Sequence, residues 1–275
     1  RGGGIWIGVG GAAYRTVVSN CSIRAYCDQS TYPQVGGGIF GYSATVEDCM
    51  VSHCFVSNTS NAVDWPSSKH RGGFGGGVSL HRYSDEPLPV VLRNCLIVEN
   101  EASYQSAGAY CSGDDALVEG CKIVGNVLRP LQSTYSGAGS ALCLNGKRTI
   151  VRNCQIVSNV TVAAVSSSGG GSVAYLNGDQ SGSILQDTLI ADNVGAYASG
   201  ISFLGTGVMV SNCVIRGNKP TTGIDASVIY SYCANECLFA DCWLTDNLGA
   251  GFGALLSSYQ SASQTGAYSV KFRNC

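Results

Sequence analysis

The segment VRNCQIVSNV, residues 151–160, decides how this chain folds, because the chain writes it repeatedly. Close variants stand at VLRNCLIVEN (91–100), LVEGCKIVGN (117–126) and VSNCVIRGN (210–218). Three residues before the cysteine comes an apolar strand former: Val18, Val46, Leu92, Val118, Val151, Leu185, Val210, Phe239 or Phe272. Two residues after it comes Ile23, Val51, Ile97, Ile123, Ile156, Ile190, Ile215 or Leu244, which shares a face with the cysteine by the two-residue period of a strand. Immediately before the cysteine slot stands Asn20, Asp48, Asn94, Gly120, Asn153, Asp187, Asn212, Asp241 or Asn274. Asn, Asp and Gly tolerate a left-handed backbone at low cost, so this slot predicts a tight corner between two short strands.

Eight cysteines occupy the slot after the corner, namely Cys21, Cys49, Cys95, Cys121, Cys154, Cys213, Cys242 and Cys275, and Thr188 takes it once. The spacing runs from 25 to 46 residues, a period typical of solenoids, propellers and arrays. A third strand is predicted from the glycine-rich runs that precede each corner: GGGIWI (2–7), GGGIFG (36–41), GGGVSL (75–80) and six looser versions. Propeller blades need four meandering strands joined by hairpin turns, and no Asn-Gly or Asp-Gly hairpin signal marks the corners. The pattern therefore predicts an all-β fold, a right-handed parallel β-helix of about nine coils with three short strands per coil. At about 4.8 Å per coil such a rod is roughly 43 Å long. Residues 1–275 read as a single β-helix domain, expected to be a segment of a longer repeat protein or a subunit that stacks end to end.

Composition excludes several functions. Charged residues make up 12 % of the chain, the net charge is −2 and no Lys or Arg cluster occurs, so neither nucleic acid nor an anionic membrane is an expected partner. No apolar run approaches the length of roughly 18 residues that would predict membrane insertion by a helix. The segment RGGGIWIGVGG at the start lacks the regions of a signal peptide.

The fourteen cysteines do not follow zinc-site spacing, and no metal or other cofactor is expected. Those in the column read as small buried hydrophobes, because vertical neighbours have parallel Cα–Cβ vectors that hold their β-carbons too far apart for a relaxed bridge. The remaining six are the disulfide candidates: Cys27 with Cys54, Cys111 with Cys143 in one strand slot of adjacent coils, and Cys233 with Cys237 as a local pair. Five residues after the cysteine slot runs a second column, Asn100, Asn126, Asn159, Asn193, Asn218 and Asn247, with Cys54 in it once. Stacked amides can hydrogen-bond from coil to coil. Asn58 and Asn159 also match the glycosylation sequon, and a glycan on Asn159 would have to leave that stack.

GGGI at 2–5 and 36–39, GGGV at 75–78 and FRN at 272–274, combined with the N-C-x-I-x-x-N unit, resemble the Gly-Gly-Ala-Ile and Phe-x-x-Asn repeats of polymorphic outer membrane proteins. The chain is likewise similar to right-handed parallel β-helix repeat proteins of the autotransporter-passenger type. The resemblance covers essentially the whole chain and implies a secreted, extracellular or cell-surface protein. It departs from the outer membrane family in having GGG for GGA and a cysteine after the corner asparagine.

Two functions follow. The first is a structural or adhesive extracellular solenoid, a spacer, adhesin or filament subunit without catalytic activity, whose partners are its own copies, surface glycans or host and cell-surface proteins. The second is a polysaccharide-binding or polysaccharide-degrading enzyme resembling pectate lyases, which place acidic residues and a basic residue on one solvent-facing strand. Asp114 and Asp115 are adjacent but have no acidic counterparts in neighbouring coils, and read as a turn. His53 falls beside Cys54 and reads as a packing histidine. Local binding is expected where the repeat is interrupted: the interval from Cys49 to Cys95 spans 46 residues against 25 to 34 elsewhere. Its two loops, 57–74 and 81–89, carry Trp65, His70, Arg71, His81, Arg82 and Tyr83, an aromatic and polar set of the kind that long loops on rigid scaffolds use for recognition.

Overall fold

A computed structural model of the chain describes residues 3–25, 36–58, 74–82, 88–103, 105–129, 139–162, 173–177, 182–196, 198–220, 227–249, 255–259 and 269–275. These form four parallel sheets that the chain visits in turn. The first sheet has nine strands, from Ile5–Ile7 through Val78–His81 and Leu142–Asn145 to Leu256–Tyr259. The second also has nine, from Ala12–Tyr14 to Val270–Arg273, and the third has eight, from Val17–Ser19 to Trp243–Thr245. These three are the strands expected from the repeat. A fourth sheet of seven strands, most of them only two residues long, such as Val127–Leu128 and Val160–Thr161, follows the asparagine column and has its own small core of Val56, Ala102, Ala107 and Leu128.

The predicted corner lies between the second and third sheets. All nine of its residues have positive φ, from 48° at Arg15 to 64° at Gly120. A second corner, unforeseen in the sequence, lies between the third and fourth sheets: Asn20, His53, Glu99, Gly125, Ser158, Asp192, Gly217 and Asp246 have φ of 53° to 65°. Each corner turns the chain with one residue, and the strands on both sides then direct their central residues inward.

This second corner corrects the reading of the first coil. Val17–Ser19 pairs with Met50–Ser52, not with Thr45–Glu47, so Val18 lies beside Val51. Arg15 is the first corner and Thr16 fills the cysteine slot, its carbonyl accepting from Met50 N at 2.9 Å. Asn20 therefore belongs to the second corner, Cys21 stands in the asparagine column beside Cys54, and Ile23 pairs with Val56 in the fourth sheet. The segment VVSNCSI mimics the first-corner unit because both corners are followed by a small inward group.

The glycine runs mark where the coil closes on itself. A β-carbon on Gly37 would overlap the Gly76 carbonyl oxygen and press on the backbone of Phe55 in the fourth sheet. One on Gly38 would crowd Val51 in the third sheet at 2.5 Å. Beyond the glycines the first sheet sends Ile39, Val78, Leu80, Leu142, Leu144 and Phe203 into a core shared with Leu92, Val118 and Val151 of the second sheet and Ile97, Ile123 and Ile156 of the third.

Two hydrogen-bonded columns line that core. In the first, each thiol donates to the carbonyl two residues earlier, across the corner, at 3.0 to 3.3 Å. The Thr188 hydroxyl makes the same bond to Gln186 O at 2.8 Å. The slot thus takes a small side chain with one donor, and Cys and Thr both qualify. In the second column the asparagines form the predicted ladder: Nδ2 of Asn100, Asn126, Asn159, Asn193 and Asn218 donates to Oδ1 of the next at 2.9 to 3.1 Å. Each Nδ2 also donates to a third-sheet carbonyl of the preceding coil, as from Asn159 to Ile123 O at 2.9 Å, and the amide nitrogens donate to the same Oδ1 atoms. Asn159 is fully buried in this stack, which leaves no space for a glycan.

Of the six expected disulfide partners, Cys111 and Cys143 are placed differently. Cys143 pairs with Tyr110 and Cys111 with Leu144, so the two cysteines are one residue out of register and face opposite sides of the first sheet. Cys111 lies in the main core, whereas Cys143 lies outside it with Phe74, Tyr110 and Tyr175. Cys54 stacks on Cys21 as a free thiol, and its expected partner Cys27 lies outside the described residues, as do the side chains of Cys233 and Asn58. Cys237 is buried in the main core.

Two stability tests follow. Asn126→Ala orphans the Asn100 N–H and removes a second donor from the Ile97 carbonyl, and is expected to cost about 3 kcal/mol in urea unfolding. Thr188→Cys is expected to change stability by less than about 1 kcal/mol, whereas Thr188→Val, which keeps the shape and deletes the donor, is expected to cost about 1–2 kcal/mol.

Candidate functional site

Of the residues expected to bind a ligand, Trp65, His70, Arg71 and Tyr83 lie outside the described residues. His81 ends the third strand of the first sheet, and Arg82 follows it. Alternation along Val78–His81 sends Val78 and Leu80 into the core and Ser79 and His81 outward. The outward face is not bare there: His81 is 4 % exposed, within a ring cluster of Phe40, Tyr42, Phe74 and Tyr110 at centroid distances of 5.1 to 6.3 Å. Its Nε2 lies 2.8 Å from the Ser79 hydroxyl. Burial lowers the imidazole pKa to about 3, so His81 is neutral at physiological pH and acts as a packed, hydrogen-bonded ring. Arg82 is half-buried, its amide donates to Ser112 O at 2.6 Å, and its charge helps to hold Asp115 ionised.

Parallel register extends this face along the rod. Phe40, Ser79, Tyr110, Cys143, Tyr175, Ser202 and Tyr230 are successive neighbours in one outward column of the first sheet, large rings alternating with small residues. Rings two coils apart are separated by about 9.6 Å. The rings of Phe40, Tyr110 and Tyr230 are at most 5 % exposed, so the column buries a second apolar layer outside the main core.

Several carboxylates among the described residues bridge adjacent coils. Asp115 is held by Arg148 in a two-bond pair at 2.7 and 2.8 Å, and Asp114 accepts the Lys147 amide at 2.9 Å, so this adjacent pair is a turn that ties coil four to coil five. The Arg148 hydrogen bond holds Asp115 below its ordinary pKa. His53 sits at the second corner, exposed, with Nε2 2.7 Å from Glu99 Oε2. On the outward face of the second sheet, the residues just before the first corner form a row, Glu47, Arg93, Glu119 and Arg152, in consecutive coils. Arg93 reaches Glu47 at 3.7 Å and Glu119 at 3.0 Å, and Arg152 reaches Glu119 at 2.7 Å. Hydrogen bonding from Arg152 and Arg93 lowers the Glu119 pKa. Among the described residues no group of three or more His, Cys, Asp or Glu side chains is arranged to hold a metal. The row was readable in the sequence as E-D-C, R-N-C, E-G-C and R-N-C, one residue ahead of the slots that define the repeat.

This geometry agrees with the comparison to known proteins. Residues 77–265 match the family described as the right-handed β-helix region, and the chain belongs to that family. No curated protein and no solved structure matches the chain.

The burial of His81 sets a pH dependence. An unfolded histidine binds a proton below about pH 6.5 while the folded ring resists it down to about pH 3, so stability is constant above that window and falls within it as pH drops. The expected slope is about 1.4 kcal/mol per pH unit from this residue. Urea midpoints of His81→Phe measured from pH 7 to pH 4 should lack that share of the decline.

Proposed function

We propose that this chain is a structural or adhesive segment of an extracellular or cell-surface rod, a spacer, adhesin or filament component without chemistry of its own. The observation that carries this reading is how its polar groups are used. The amides of the asparagine column, the thiols of the cysteine column and the carboxylates of Glu47, Glu101, Asp115 and Glu119 are all committed to bonds that join or brace coils. A rod held together in this way extends by adding coils, within a longer chain or by stacking of copies. The cysteines of the column are nearly all buried, which shields them from oxidants and suits a protein outside the cell.

Recognition of glycans is the second reading, favoured by the exposed rings of Trp6 and Trp243 at 60 % and 74 % exposure and by the aromatic and polar composition of the interrupted coil. Surface glycans and cell-surface proteins are the partners such rings would serve. The protein is expected to leave uronate polymers uncut with calcium present, followed by absorbance of unsaturated products and by reducing ends. Turnover of any of these polymers would refute the non-catalytic reading. Binding to a glycan panel that is lost in Trp6→Ala or Trp243→Ala would favour the second.

A further inference from the structure

Eight coils pass through second sheet, first corner, third sheet and second corner in ten residues each, 12–21, 45–54, 91–100, 117–126, 150–159, 184–193, 209–218 and 238–247, without one insertion. The second sheet therefore presents an outward face with two straight columns. One is the charged row, whose side chains are 21 to 39 % exposed. The other, two residues earlier in each strand, runs Thr45, Val91, Leu117 and Ile150 and continues with apolar residues, all partly exposed.

The order of the charges is self-complementary. A two-fold axis across the rod lays each column on its own copy in reverse, and Glu-Arg-Glu-Arg reversed sets every carboxylate against a guanidinium. With the axis midway between coils three and four, Glu47 faces Arg152 of a second copy and Arg93 faces Glu119. The same axis sets Val91 against Leu117 and Thr45 against Ile150, so the second column also meets itself without conflict. Two rods placed parallel would instead lay the apolar column on the charged one.

We propose that two copies of this chain pair face to face and antiparallel through the outward face of the second sheet. Six coils of a face two side chains wide offer roughly 350 Å² per copy, well under the roughly 800 Å² per partner of a standard stable interface. The dimer is accordingly weak, micromolar or weaker, and sensitive to salt. It is a lateral contact and stands whether the rod is a spacer or a glycan binder.

Sedimentation equilibrium on the whole chain tests it. Dimer is expected at high protein concentration in low salt, with the dissociation constant rising at least about tenfold between low salt and roughly 0.5 M. Glu47→Lys with Glu119→Lys makes the row all positive, and Arg93→Glu with Arg152→Glu makes it all negative. Each variant alone should be monomeric, and an equimolar mixture should form a heterodimer. Because both variants also break the intrachain row, Leu117→Gln with Ile150→Gln supplies a version with that row intact, expected to weaken dimerisation at least about tenfold while the melting curve is retained. A wild-type protein monomeric throughout, a dimer persisting in both single-sign variants, as end-to-end association would give, or a mixture that stays monomeric would each overturn the proposal.

Discussion

The structure depends on how the main-chain N–H groups just beyond its two corners are satisfied. The carbonyls beside the corners keep inter-coil partners, as Arg152 O accepts from Gly120 N and Val157 O from Gly125 N. The N–H one residue past each corner lies in a dry interior, where leaving it unpaired costs on the order of 1–3 kcal/mol. A side chain of the next coil accepts it: Cys154 N donates to Thr188 Oγ1, and Asn159 N to Asn193 Oδ1. A primary amide supplies that acceptor together with two N–H groups, which Asn159 directs to Asn193 and to the Ile123 and Val157 carbonyls.

Both columns commit their polar groups to the frame, and what varies is displaced outward. His81 illustrates this, since it points away from the core yet is buried among Phe40, Tyr42, Phe74 and Tyr110 with its Nε2 beside the Ser79 hydroxyl. The charged side chains behave in the same way. Arg148 closes on Asp115 and Arg152 on Glu119, each bridging adjacent coils in parallel register. Charge on this surface acts first as vertical bracing, and only where the row is partly exposed can it address another molecule.

The fold was largely legible in the sequence because its strongest signal, Asn, Asp or Gly before a small residue and two apolar flanks, has a single physical meaning. The second corner was hidden because His53, Glu99 and Ser158 adopt a conformation that their side chains do not advertise, enforced by the strands on either side. The first coil was misread for the same reason: without that corner, Asn20 and Cys21 could only be placed at the first. The pairing of Cys111 with Cys143 failed by one residue, since the glycine-rich runs fix the start of the first strand more loosely than the corners fix the others. Of the candidate site, the sequence located the interrupted coil but could not show that His81 is packed, because burial on the outside of a sheet comes from neighbours in other coils.

The insertion-free ten-residue block has a geometric consequence. Whatever length the connections into the first sheet take, they leave and rejoin a frame whose pitch is set elsewhere, at about 4.8 Å per coil. Groups carried on different coils are therefore spaced in whole steps of one unit, at nearly constant azimuth. The chain is in effect a graduated scale, on which a loop can be lengthened or exchanged without shifting the marks above or below it.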